Sequence, residues 1–231
     1  LAPDAATLLF PAATVGGGSY NYARGYYSVV SGGGGAEPVD SNSALGDYSA
    51  VGGGNGNIAK TSYSTIGGGS LNTTGGFVST IGGGGNNTTS GSYSTIGGGY
   101  HNRARGLYST VGGGGGSNAT DSNSALGDYS TISGGRKNKA IGLTSTVGGG
   151  ENDTAGGAYS SIPGGYKNKA SGDYSFAAGR NAKATHEGSF VWSSAAAPVY
   201  SNNPYTFTVA ATNGIRFVEG TVTATEHLRI L

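Results

Sequence analysis

The sequence predicts an all-β fold, a parallel β-roll or solenoid of about twelve rungs with about 15 residues in each rung. Three observations predict it. A serine recurs two positions before Val or Ile, an asparagine recurs in the same register, and 48 of the 231 residues are glycine. Glycine at this level is otherwise typical of disordered segments, but apolar residues at a fixed period indicate stacked units that share one core.

The serine series sets the period. Its members are Ser28, Ser49, Ser64, Ser79, Ser94, Ser109, Ser130, Ser145 and Ser160. Every gap is 15 residues except two of 21, and both long units end in the decamer DSNSALGDYS, at 40–49 and 121–130. A block of 81 residues therefore occurs twice. Extending the register to Ala13, Ser175 and Ser189 gives twelve rungs over residues 13–189.

A second series has the form N-x-[AT], with Asp153 substituting once. Its spacing to the serine stays at seven residues in the long units, so the six extra residues form insertion loops near 35–41 and 115–122. We expect the asparagines to be buried and to hydrogen-bond along the stack. The residues expected to form this structural ladder and its apolar core are Asn57, Asn72, Asn87, Asn102, Asn138, Asn168, Ile66, Ile81, Ile96 and Val111.

Each rung is predicted to hold two short strands, Y-S-T-[IV] and N-x-[AT], joined by turns in which glycine supplies positive φ angles. Because side chains alternate along a strand, Ser and Val/Ile share one face while Tyr and Thr share the other. A rung buries few apolar groups and leaves one flank of the solenoid in water. The sequence therefore predicts self-association, closed around an axis parallel to the rod.

The segments outside the repeat differ from it. Residues 1–12 form a lead-in, and residues 190–231 break the period. In that second segment TFTVA and GIRFV flank Asn213-Gly214, a hairpin signal that predicts a small C-terminal β cap or connector.

Composition and motifs argue against several function classes. The net charge is +1 and there is no cysteine, so nothing favours nucleic acid, a disulfide framework or a thiolate metal site. No apolar run is long enough to cross a bilayer. The G-x-G-x-x-G matches recur along the chain instead of once before a helix, which excludes a nucleotide loop. The three histidines are scattered and no Ser/His/Asp group recurs, so we expect no metal, no cofactor and no enzyme activity.

The charged candidates for a binding site lie in the loops and in the C-terminal half. The loop carboxylates are candidates for a binding site because binding residues tend to lie on loops held by a rigid scaffold. The alternative is that the loops only divide the rod into segments. The lysines predict one outward face, either a solvated edge or a stripe for a polyanion such as lipopolysaccharide or teichoic acid. These candidates are Glu37, Asp40, Asp121, Lys137, Lys139, Lys167 and Lys169, with Lys183 on the same face.

The tyrosine and threonine columns have three interpretations. Tyrosine beside threonine favours a buried subunit interface. Stacked tyrosines that remain exposed suit carbohydrate rings instead. The threonine column also resembles that of ice-binding solenoids, although a flat ice face needs paired threonine columns.

One stretch resembles a known family. Residues 175–189, SFAAGRNAKATHEGS, have the form S-x-A-x-G-x-x-A-x-A, which resembles the head repeat of YadA-like trimeric autotransporter adhesins. The upstream rungs resemble a variant with Val or Ile in place of Ala and with Asn168 where the next rung has Ala182. The resemblance implies a left-handed parallel β-roll, a homotrimer and surface adhesion. Similar repeats occur in phage tail fibres, where a connector resembling GSFVW precedes a self-cleaving chaperone.

The expected function is that of a non-enzymatic, homotrimeric fibre or adhesin segment, extracellular on a bacterial surface or virion. Its partners would be other copies of itself and a host-surface glycan, matrix protein or other receptor, with no nucleic acid and no membrane insertion. Three equivalent weak contacts would raise binding by avidity. The alternatives are a purely structural spacer whose receptor-binding tip lies elsewhere, and an ice-binding solenoid.

Overall fold

The structure is a computed structural model that describes residues 7–8 and 12–215. It is an all-β parallel solenoid of about 13 turns, in which each turn contributes one strand to each of two sheets of 13 and 14 strands. Among these residues the only helices are two single-turn 3-10 helices, Pro38–Asp40 and Ala119–Asp121, one in each insertion loop.

Most strands are only two residues long, and every pairing is parallel. The first sheet contains, in order, Thr7–Leu8, Tyr22–Ala23, Ser43–Ala44, Ile58–Ala59, Thr73–Thr74, Thr88–Thr89, Arg103–Ala104, Ser124–Ala125, Lys139–Ala140, Thr154–Ala155, Lys169–Ala170, Ala182–Ala184 and Val199–Tyr200. The second sheet contains Thr14–Val15, Val29–Val30, Ala50–Val51, Thr65–Ile66, Thr80–Ile81, Thr95–Ile96, Thr110–Val111, Thr131–Ile132, Thr146–Val147, Ser161–Ile162, Phe176–Arg180, Phe190–Ser193 and Phe207–Ala210, with Gly165–Tyr166 paired beside it.

Equivalent residues of consecutive turns lie directly above one another. Ile81 pairs with Ile96, and Ile96 pairs with Val111. These side chains are fully buried and face the Ala and Thr side chains of the first sheet, so the core is a thin apolar column between the sheets. Each buried Ile or Val contributes roughly 1.5–3 kcal/mol of hydrophobic stabilisation.

The asparagine ladder is present and fully buried. Asn87 donates from Nδ2 to the carbonyl oxygens of Gly83 at 3.0 Å and Gly99 at 2.9 Å. Its Oδ1 accepts the backbone N–H of Asn102 at 2.9 Å. One amide thus closes its own turn and ties it to the turn above. The same backbone-to-Oδ1 bond links Asn57, Asn72, Asn87 and Asn102 in succession and later Asn123, Asn138, Asp153 and Asn168.

The corner tyrosine and the serine of each repeat, such as Tyr93 and Ser94, lie outside the strands, so the predicted Y-S-T-[IV] strand is wrong at its first two positions. Tyr93 has φ +57°, in the left-handed region that glycine was expected to supply alone. A left-handed conformation costs an ordinary residue about 1–2 kcal/mol. At this corner the conformation aims the N–H of Tyr93 at the carbonyl oxygen of Phe77 in the turn below, at 2.8 Å. The hydrogen bond offsets the cost and recurs in successive turns.

Both sheets extend beyond the predicted repeat of residues 13–189, which is why there are about 13 turns instead of twelve. Thr7–Leu8 pairs with Tyr22–Ala23. At the other end, Phe190–Ser193 and Phe207–Ala210 continue the second sheet in parallel. Strand pairing needs only matched backbones, so it continues where the Ser and Asn motifs stop. The second strand of the predicted hairpin, in residues 214–218, falls almost entirely outside the described residues.

Asp153 is the one carboxylate in the buried ladder. Its Oδ1 accepts the N–H of Asn168 at 2.7 Å, but its Oδ2 is buried without a hydrogen-bond partner. In the turns on either side the matching atom is an Nδ2 that donates to glycine carbonyls. Desolvation by burial raises the pKa of Asp153 to about 6, against the opposing effect of the hydrogen bonds from Asn168. Between these two values, from pH 3.8 to about 6, the folded protein therefore holds a proton here that the unfolded chain releases.

We expect Asp153→Asn to raise the free energy of unfolding by about 2 kcal/mol at pH 7.5, because the amide restores the missing donor and carries no buried charge. The native pKa lies above the unfolded value of 3.8. The stability of the parent protein at this site therefore falls as pH rises from 4 to 7. Denaturant titrations at pH 4 and 7.5 check this. A gain from Asp153→Asn that did not grow with pH would contradict it.

Candidate binding surface

A groove of about 430 Å³ lies beside the second insertion loop. Its floor is the outer face of the first sheet, and its walls are the loop and the turn that precedes Asn138. The lining residues are Arg103, Ala119, Thr120, Ser122, Ser124, Lys137, Lys139 and Asn152. We call this the basic groove.

The strand register positions two of its cations. Arg103 pairs with Ser124 and Ser124 pairs with Lys139, so the three residues occupy one column on the outer face of the first sheet. The small Ser124 lies between the two long side chains and leaves room above it. Lys137 comes from the corner, where it holds a left-handed backbone with φ +62°. A fixed scaffold therefore presents the three cations.

Only part of this positive charge is neutralised. Lys137 Nζ lies 3.1 Å from Asp121 Oδ1, and its hydrogen bond lowers the pKa of that carboxyl below its usual value. Arg103 Nη1 donates to Ser122 Oγ at 3.2 Å, which keeps its charge. The Lys139 side chain has no hydrogen bond or ion pair with any described residue. Three cations against one carboxylate leave a net charge of +2 at the groove.

The cationic column continues away from the groove toward the C-terminal end. Lys169 lies two turns beyond Lys139, and Lys183 pairs directly with Lys169 in the next turn. Burial, together with the nearby positive charge of Lys169, lowers the pKa of Lys183. In the N-terminal half the same column is uncharged, with Tyr22, Ser43, Ile58, Thr73 and Thr88.

The duplicated block provides an internal comparison. The first insertion loop holds its own 3-10 helix and carboxylate, Asp40, yet its surroundings lack the cations. At the positions of Arg103, Lys137 and Lys139 it has Tyr22, Gly56 and Ile58. The equivalent of Asn152 is Leu71, which is exposed. The surface beside the first loop thus lacks the three groove cations, although Arg24 lies over the Tyr22 ring at 4.5 Å.

The predicted site residues are only partly brought together. The structure places Asp121, Lys137 and Lys139 at one groove. Glu37 and Asp40 belong to the first loop, five turns away. Lys167 and Lys169 lie two turns beyond the groove, with Lys167 Nζ 4.9 Å from the centre of the Tyr166 ring.

Arg103 and Ser122 were missed by sequence reasoning. The signal that reveals Arg103 is the N-x-[AT] register, because Arg103 and Lys139 hold the same position two rungs apart.

A second surface feature runs along one corner of the solenoid. Aromatic rings of successive turns lie against each other with centroids 4.7–5.9 Å apart, some stacked and some edge-on. These rings are 42–63% exposed. The aromatic stripe consists of Tyr27, Tyr48, Tyr63, Phe77, Tyr93, Tyr108, Tyr129, Tyr159 and Tyr174. Leu143, also exposed, lies in the turn between Tyr129 and Tyr159.

One histidine lies beside a serine hydroxyl, the pairing typical of an activated nucleophile. His186 Nδ1 lies 2.8 Å from Ser201 Oγ. The same oxygen accepts the backbone N–H groups of Thr185 and His186, so it closes a turn, and no described carboxylate hydrogen-bonds to the ring. Within residues 7–8 and 12–215 no cluster of three acidic or histidine side chains is suited to hold a metal ion. The same part of the chain contains no helix with the length and hydrophobicity to cross a membrane.

Comparison with protein-family models gives no match, and comparison with curated proteins gives none either.

Proposed function

We propose that this chain is a segment of a non-enzymatic, homotrimeric attachment fibre on a bacterial surface or virion. It would be a left-handed roll similar to the YadA-like heads and related phage tail fibres. The aromatic stripe is the observation that carries the proposal, because it leaves nine rings half-exposed over ten successive turns of a single chain, with Leu143 in the one turn that lacks a ring.

An exposed stripe of this length favours association between copies. Monomeric proteins rarely expose contiguous apolar patches larger than a few hundred Å². Tyrosine suits a buried contact because its ring is apolar and its hydroxyl can still find a partner. A straight stripe parallel to the rod is covered over its full length when copies close around a parallel axis.

Attachment is supported by the rest of the surface. The stacked turns form a rigid rod that carries two loops and the basic groove on the side of the first sheet. A trimer would present three grooves, and three weak contacts to one surface bind far more tightly than one.

We expect the chain to sediment as a species of three times 22.6 kDa. Tyr93→Asn combined with Tyr108→Asn should lower the association constant of the trimer at least tenfold, because two adjacent stacked rings are lost from the centre of the stripe. Asparagine tolerates the left-handed backbone, so the fold should survive. Tyr100→Asn, an equally exposed tyrosine outside the stripe, is the matched control. Sedimentation equilibrium at micromolar concentration measures this, and a stable wild-type monomer would contradict the trimer.

The attachment itself is tested with the full chain on glycan arrays and on immobilised bacterial and host cells. Saturable binding supports an attachment role. A trimer that binds none of these surfaces would instead be a spacer, with the receptor-binding part elsewhere.

A further inference from the structure

We infer that the basic groove binds an acidic polysaccharide, a polymer rich in hydroxyl groups whose anionic groups are widely spaced. This inference rests on the proposed attachment function and names its ligand class. The chain would enter beside Arg103 and Lys139 under the second insertion loop. It would then follow the cationic column toward Lys169 and Lys183.

The groove offers the two kinds of contact that such a polymer needs. Arg103 and Lys139 are cations two turns apart in one column, and the Lys139 ammonium has no partner among the described residues. Arginine suits a carboxylate or phosphate because its planar group donates two parallel hydrogen bonds. Ser124 lies between the two cations, and the hydroxyls of Thr120, Ser122 and Ser124 line the groove, where they can exchange hydrogen bonds with sugar hydroxyls.

The spacing of the charges argues for a sparsely charged polymer. Turns stack about 4.8 Å apart, so Arg103, Lys139 and Lys169 follow at intervals of about 9.6 Å. DNA carries its phosphates far more densely, with a rise of about 3.4 Å per nucleotide in each strand. The net charge of the whole chain is only +1, so no general attraction to nucleic acid supplements the groove. An anionic group on every second or third sugar matches these cations better.

The two insertion loops show that the charge belongs to the second copy alone. Arg24 and Arg105 hold equivalent positions of the two blocks, and both are arginine. The copies do differ in charge elsewhere, with Lys60 against Ile141 and the ion pair Arg136–Glu151 against Asn55 and Ser70. At the groove, Tyr22, Gly56 and Ile58 correspond to Arg103, Lys137 and Lys139, so the three groove cations belong to the second copy.

The test is calorimetric titration of the full chain with four probes: hyaluronan oligosaccharides, a dextran phosphorylated on every second or third sugar, neutral dextran and double-stranded DNA. We expect saturable binding of at least one of the first two, weakened at least tenfold between 0.05 and 0.5 M salt by screening. The first two probes distinguish a carboxylate from a phosphate source. Binding of dextran or DNA as tight as that of either acidic polymer would overturn the inference.

Paired variants localise the site. Arg103→Gln with Lys139→Gln should weaken binding at least tenfold. The matched control Arg105→Gln, an exposed arginine outside the groove, should change it less than twofold. Tyr22→Arg with Ile58→Lys should add a second site and raise the stoichiometry from one to two per chain. Equal losses from the groove variant and Arg105→Gln would overturn the inference.

The outcomes for the inference and for the proposed function are separable. If the chain attaches to cells and the groove variant attaches equally well, the groove is not the binding site but the attachment function stands. If the chain attaches to no surface and binds neither acidic polymer, both fail.

Discussion

Asn87→Ala is expected to lower the free energy of unfolding by about 4 kcal/mol. The side chain makes three hydrogen bonds, and its removal leaves the carbonyl oxygen of Gly83 and the N–H of Asn102 without partners. It also takes one of two donors from the carbonyl oxygen of Gly99, which keeps the N–H of Gly85. The Asn87 side chain has no exposed surface, so water cannot take its place without opening the turn. Each buried group left unsatisfied costs about 1–3 kcal/mol.

The neighbouring residue provides the matched control. Asn86 is also an asparagine with an amide hydrogen bond, but that bond goes to the hydroxyl of Tyr100 at 3.0 Å at the surface. Asn86 has φ +53°, so Asn86→Gly keeps the backbone unstrained and should cost less than 1 kcal/mol.

Denaturant titration gives the global change for both variants, and amide hydrogen exchange shows whether the turns beside Asn87 open first, as expected when each turn contacts only its neighbours. A loss for Asn87→Ala no larger than that for Asn86→Gly would show that the ladder does not hold the turns together.

The stacking of turns could be predicted from the sequence because the same physical constraint applies at every rung. When a side chain must lie directly above the same residue type in the turn below, that residue type recurs in the sequence at a fixed period. Asn87, Asn102 and Ile96 belong to such periodic series. The position of Tyr93 could not be read in the same way. Local propensity favours a strand for tyrosine. In the structure a backbone hydrogen bond to the turn below stabilises the left-handed conformation of Tyr93 instead. That hydrogen bond forms only when the turns are stacked.

The basic groove was only half visible in the sequence. Lys137 and Lys139 lie two residues apart in the chain and Asp121 lies in the nearby loop, so the sequence alone places these charges together. Arg103 is separated from them by the loop itself and joins them only because the solenoid returns to the same face. When the separation is counted in rungs, Arg103 is only two rungs from Lys139, because the insertion loop lengthens the chain without adding a turn.

Gly99→Ala is expected to destabilise the protein by more than about 4 kcal/mol. Gly99 has φ +84°, and a Cβ there would lie 2.2 Å from the carbonyl oxygen of Gly114 and 2.7 Å from the amide nitrogen of Asn102. Neither neighbour can move freely, because Gly114 is bonded backbone and Asn102 is a ladder residue. Backbone strain of about 1–3 kcal/mol therefore adds to a steric clash that only separation of the two turns relieves.

Gly98→Ala is the control for this prediction, because the two glycines are adjacent and only their surroundings differ. A Cβ on Gly98 meets nothing within 4 Å, and its backbone lies outside the left-handed region. Removing a glycine there should leave stability unchanged or raise it by up to about 1 kcal/mol through the lower entropy of the unfolded chain. Thermal unfolding followed by circular dichroism compares the two variants. Equal midpoints would mean that adjacent turns are not in direct backbone contact, and the stacked solenoid would be wrong at this corner.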